Sequence, residues 1–290
     1  MTEIPAGTPR YFAWLYSDAR LQALLAPLFG IETEINAALQ PGLEHSVAHV
    51  RMTWWAEEAQ RLHAGHALHP LSRALLAQWP AAPGAAPAGP DVSGLVDIAA
   101  WDLAGATFET RRELALYCER WARAVVQLAA TATAPDLPAH TAQQFGLSVG
   151  AALCELDMLG SLQHSARLGR LRLPLDELAA LGVAPEALAQ PPWPPALCER
   201  LRQRHHELRS ALAAGCALLR AAPHRAALRG LLVWAALIQQ HSRRAQAALP
   251  AVWRRTRWDG VSDAFRAWRV ARQAMSPRMP NATLNTPEPP

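Results

Sequence analysis

Any chemistry in this chain has to come from a few charged side chains set on apolar helical patterns. Over Val47 to Leu62 (VAHVRMTWWAEEAQRL), the residues Val47, Arg51, Trp54, Trp55, Glu58 and Leu62 recur at helical spacing. Two opposite charges thus share a face with two tryptophans. A charge on an apolar stripe is costly unless it is paired or faces a polar cavity. Arg51 and Glu58 are therefore expected either to join a buried network that ties helices together or, with Trp55, to line a pocket. A second row, Gly146, Gly150, Asp157, Ser161 and Ser165, falls on one face of residues 146–165. Small residues there let another helix approach closely or leave room for a ligand, and Asp157 is the charge in that row. Glu155, two positions away, points elsewhere on the helix.

The histidines give a weaker signal. His45 and His49 stand at i, i+4, and His63, His66 and His69 cluster around glycine and proline. A zinc site needs further ligands at usable spacing, and none stands out, so helix-end polar contacts are the expected role and no metal site is assigned. His205 and His206, amid arginines, read as a solvated face. Cys118, Cys154, Cys198 and Cys216 form no C-x-x-C pair and sit in apolar contexts, which suits reduced core residues in a reducing compartment. Neither G-x-G-x-x-G, G-x-x-x-x-G-K-[ST] nor H-E-x-x-H occurs.

Positioning these residues falls to helices. The chain has 290 residues, 51% of them hydrophobic and 18% charged, and apolar residues repeat at spacings of three and four almost throughout. This predicts an all-α, single-domain bundle over residues 1–275, with helices over 11–39, 43–64, 70–78, 92–103, 110–131, 141–164, 194–219 and 224–248. Residues 80–91 are expected to form a flexible loop, 190–195 a stiff connector and 276–290 a disordered tail. The N-terminus has no apolar h-region, and the longest apolar run, Leu231 to Ile238, is far below the ~20 residues a bilayer span needs. The expected location is the cytoplasm, with peripheral contact at the inner membrane kept open. The sequence pI is about 9.2, yet the arginines concentrate only over 253–272, among Trp253, Trp258 and Trp268. That stretch reads as a solvated or lipid-facing helix, and nucleic acid is not an expected partner.

Taken in order, three anchors resemble the squalene/phytoene synthase superfamily: YFAWLYSDARLQALLAPLFGIETEI (11–35), VAHVRMTWWAEEAQRLHAGHALHP (47–70) and ARLGRLRLPLDELAALGV (166–183). The resemblance implies the isoprenoid-synthase fold with a central apolar cavity. In catalytic members, two D-x-x-x-D helical motifs hold magnesium ions that bind and ionise a prenyl diphosphate. Counted from Phe29, the first motif's positions fall on Glu34 and Ala38. Counted back from GRLRLP, the second motif's fall on Ser161 and Ser165, with the usual asparagine on Asp157. Glu32 and Glu34 form the acidic pair near the first position, and an i, i+2 pair diverges on a helix. Hydroxyls replace carboxylates poorly in a multi-magnesium site.

The pattern is closer to the superfamily's non-synthase branch, typified by the mitochondrial complex I assembly factor. The expectation is a protein without prenyltransferase activity and without a cofactor, binding an isoprenoid, a lipid or a partner protein. Arg51, Trp55, Glu58, Ser161 and Ser165 are its candidate cavity residues. Two alternatives stay open: a magnesium-dependent, head-to-head prenyl-diphosphate transferase using Glu34 and Asp157, and a helical scaffold.

Overall fold

The computed structural model describes residues 4–40, 42–80 and 88–276. The expected tail and most of the expected loop fall outside those residues. Among the described residues every regular element is helical: α1 (Pro9–Leu15), α2 (Ala19–Ala37), α3 (His45–His63), α4 (Pro70–Gln78), α5 (Ser93–Leu103) and α6 (Arg111–Ala122). A π turn, Arg123–Gln127, joins α6 to α7 (Leu128–Thr133), and α8 (Ala139–Gly160), α9 (Leu162–Arg167) and α10 (Leu175–Ala180) follow. A 3₁₀ turn, Pro185–Ala189, precedes α11 (Pro195–Cys216), α12 (Ala222–Ala227), α13 (Arg229–Ala248) and α14 (Arg257–Ala274).

Several helix ends follow from local chemistry. Thr110 and Glu113 form a capping box at the start of α6, and His69 accepts a bond from the Leu71 N–H at the start of α4, where Pro70 already has helical φ. The helix expected over 11–39 is two helices. Asp18 turns its carboxylate onto the Leu21 N–H at 2.8 Å, capping α2 and ending α1 at Leu15. The helix expected over 141–164 also breaks, at Ser161, whose hydroxyl bonds back to the carbonyls of Asp157 and Met158, at 3.1 and 3.2 Å.

The bundle closes around α8, which packs on α6, the π turn, α11 and α13. Its glycines permit this. A Cβ on Gly146 would lie 2.4 Å from that of Gln127, and one on Gly150 2.6 Å from that of Ala122. Close packing therefore accounts for the first half of the small-residue row. The GRLRLP segment is clamped by Arg172, whose guanidinium makes paired bonds of 2.7 and 2.8 Å to Asp102 on α5, and by Arg170, which donates to the Leu39 carbonyl just past α2. The last helix, α14, lies on α13 and α1 through a small core of Phe12, Val233, Leu237, Ala267 and Ala271.

Candidate functional site

A charged cluster sits where α1, α2, α6, α8 and α13 converge. Arg10 projects from the first turn of α1, held by the Thr8 cap, and donates to both carboxylate oxygens of Glu32 on α2, at 2.7 and 3.0 Å. Glu32 is buried and also accepts from the Trp121 indole N–H of α6, at 2.9 Å. Aromatic rings wall the guanidinium: its central carbon lies 5.2, 6.0 and 5.5 Å from the ring centres of Phe29, Trp121 and Trp234. Trp234 meets Phe29 and Trp121 edge to face, so the wall is itself packed. Burial opposes the charge on Arg10, but attraction and hydrogen bonding from Glu32, with a further pull from Asp157, outweigh it and hold its pKa above the ordinary value.

Asp157 faces the same place from α8, two turns past Gly150. Burial raises its pKa; the charge of Arg10 counters this, Glu32 adds to it, and His241 on α13 counters it again. Its surface is nonetheless exposed. Asp157 thus stands at the edge of the cluster, reached by water on one side and desolvated by protein on the other. Arg10, whose side chain is 32% exposed beside a Glu32 side chain at 8%, is also partly open to water. The cluster holds one guanidinium, one carboxylate paired to it and a second carboxyl, Asp157, whose pKa burial raises.

Other sequence-marked residues lie apart from this cluster. Glu34 is exposed, two residues beyond Glu32 and turned roughly 200° around the helix. Arg51 is exposed, lying beside the buried stripe of α3 that runs through Ala48, Met52, Trp55, Ala59 and Leu62. Glu58, with no exposed surface, accepts the Leu68 and His69 N–H groups at 2.9 and 2.8 Å and pairs with Arg61 at 2.9 Å, which ties α3 to the start of α4. Its partner is thus Arg61 rather than Arg51, and it belongs to a structural network. Trp55 is buried against His69, with ring centres 4.9 Å apart. Ser161 and Ser165 are half-buried at the α8–α9 break.

Glu155 points into a separate ion network with Arg111 and Arg204, and Arg204 reaches on to Glu177. His205 is a correction to the solvated reading. It is buried because α11 packs on α13; its Nδ1 lies 2.9 Å from the Ser242 Oγ, and burial with the nearby Arg209 charge lowers its pKa to about 4.

Two sequence spacings have structural explanations. Gly146, Ser148 and Gly150 fit G-x-S-x-G, but they lie inside α8, where the Ser148 hydroxyl bonds back to the Gln144 carbonyl at 2.6 Å rather than standing on a strained turn. Asp259 and Asp263 of α14 fit D-x-x-x-D outside the positions marked by the resemblance. Arg244 bridges both, at 3.2 and 3.0 Å, and Asp263 also binds His241 at 2.8 Å and Arg255 at 2.7 Å. These two carboxylates secure α14 to α13. Cysteine nucleophiles are disfavoured: a hydrogen bond with Cys118 and burial push the Cys154 thiol well up, and burial raises Cys216 to about 12.

A second depression, of about 570 Å³, lies between α5, α6 and the chain around Gly89. Asp91 and Asp97 offset Arg120 and Arg123 on its rim, and Asp91 is engaged by the Ser93 N–H and hydroxyl. Of the residues marked by the sequence it contains His63, whose Nδ1 lies 3.0 Å from the Gly89 carbonyl oxygen.

A crystal structure of a dehydrosqualene synthase in complex with ligand matches this chain with a TM-score of 0.70 and 15% sequence identity, covering 91% of each chain. The likeness defines the architecture as the all-α isoprenoid-synthase fold. The squalene/phytoene synthase family model matches residues 30–262, and the chain belongs to that family. No curated protein matches it by sequence. Active members of the family typically depend on magnesium. Among the described residues no group of three or more His, Cys, Asp or Glu is placed to hold a metal. Glu32 is bonded to Arg10 and Trp121, and Asp157 is the other carboxylate of the cluster.

Proposed function

We propose that this chain is a squalene/phytoene synthase-like binding protein without prenyltransferase activity, and that the cluster borders a recess that takes an uncharged isoprenoid or similar lipid. On this reading the chain is assigned to the non-synthase branch of the family, which its sequence pattern resembles. The observation that carries the reading is the Arg10–Glu32 pair, which puts a cation and its counter-charge beside Asp157. A prenyl diphosphate brings several negative charges into a desolvated site, and without bridging magnesium a single guanidinium already paired to Glu32 does not compensate them. An isoprenoid alcohol makes no such demand: its chain fits the aromatic wall, and its hydroxyl can bond to Asp157. Such a ligand resides in membranes. No helix among the described residues is long and apolar enough to cross one, so the proposed contact is peripheral.

The test is incubation with farnesyl or geranylgeranyl diphosphate and magnesium, together with equilibrium binding of farnesol. No diphosphate release and no hydrocarbon are expected, with farnesol binding unaffected by magnesium. Turnover abolished by Glu34→Gln or Asp157→Asn would overturn the reading in favour of an active transferase.

A further inference from the structure

We infer that the outward face of α14 is a docking surface for an anionic lipid bilayer. Trp258, Val261, Phe265, Trp268 and Met275 follow one stripe of this helix, and each is at least 45% exposed. No other helix among the described residues presents so many large apolar side chains to water, and a contiguous patch of this kind marks an interaction surface.

Charge on α14 is sorted by side. Its acids, Asp259 and Asp263, turn inward onto Arg244, His241 and Arg255. Arg257, Arg269 and Arg272 are exposed beside the aromatic stripe, and Arg257 and Arg272 lie 5.1 and 5.5 Å from the ring centres of Trp258 and Trp268. Arg266, on the flank, has its pKa lowered by burial and by the like charges of Arg269 and Arg243, so positive charge there is crowded rather than neutralised. A shallow depression among Trp268, Arg269, Arg272 and Gln273 gives a phosphate a place among these donors.

Charge complementarity selects the occupant. A second copy would bring arginines against arginines, whereas an anionic headgroup layer above an acyl region matches both the cationic and the aromatic components. Tryptophan and arginine each join an apolar body to a polar or charged tip, which suits them to the boundary between lipid tails and water. The inference extends the peripheral contact proposed above, but it rests on α14 and not on the content of the recess.

The experiment is co-sedimentation of the full chain with vesicles of phosphatidylcholine alone or with about 30 mol% phosphatidylglycerol. Binding is expected on the anionic vesicles, with little on the neutral ones, and weakening as salt rises. Trp258→Ser/Phe265→Ser/Trp268→Ser and, separately, Arg269→Glu/Arg272→Glu should each lower the affinity at least about tenfold. All five side chains are exposed, so the variants should retain the wild-type circular dichroism and melting curve. A chain ending at Ser276 should bind as the whole chain does.

Equal binding by folded variants, loss of binding on removing residues 277–290, or concentration-dependent self-association abolished by the aromatic variant would each overturn the assignment. Farnesol binding in detergent reports on the recess separately, so either proposal can fail without the other.

Discussion

Replacing Glu32 by glutamine tests whether the Arg10–Glu32 pair organises the cluster. The substitution keeps shape and an acceptor for Trp121 but removes the counter-charge from a guanidinium walled by three aromatic rings. Breaking a fully buried pair by removing one partner costs about 3–5 kcal/mol. Here the Arg10 side chain is 32% exposed, so water recovers part of that loss, and about 2–3 kcal/mol is expected for Glu32→Gln. Arg10→Met should cost about as much or slightly more, because the carboxylate left behind has less access to water.

The double variant leaves no stranded charge, and paired removal of a buried ion pair is often close to neutral. Its cost should therefore fall short of the sum of the single costs by at least about 2 kcal/mol. Urea unfolding followed by circular dichroism, on all four proteins, measures this coupling. Melting should move by roughly 2–4 °C per kcal/mol for a chain of this size. Additive costs within about 0.5 kcal/mol would refute the reasoning, since the two side chains would then be energetically independent.

Asp157→Asn should stabilise the protein at neutral pH. Burial raises this carboxyl above the ordinary aspartate value of 3.8, so the fold favours its protonated form. That support is complete below 3.8 and is lost as the pH rises through the folded pKa. The melting advantage of the variant should be present at pH 7 and narrow as the pH falls to about 4; a constant difference would refute the assignment. Asp263→Asn should act in the opposite sense. Burial alone would raise this pKa, but bonds and attraction from His241, Arg244 and Arg255 hold it below 3.8. Its contribution is present above the unfolded value and lost as the pH falls through the folded one. The variant should lose about 3–5 kcal/mol at pH 7, with faster amide exchange concentrated in α14. Unchanged protection of that helix would separate Asp263 from its anchoring.

The sequence by itself determined the all-α class, most helix positions and the family resemblance. Each rests on local rules: apolar periodicity, the Thr110–Glu113 box and the proline at the start of α4 act within one or two turns. The glycines of α8 were also legible as a close-approach face. Only the tertiary structure decided which charges work together. Glu32 and Arg10 are 22 residues apart and Trp121 is 89 from Glu32, so no spacing rule connects them. Glu34, marked by counting, lies outside the cluster because two residues carry it around the helix from Glu32. Arg51 and His205 show the same dependence on packing: one is exposed although Glu58, two turns further on the same face of α3, is buried, and the other is buried where α13 covers α11. Helix periodicity fixes which residues share a face, but whether that face meets water, another helix or a recess depends on how distant segments pack.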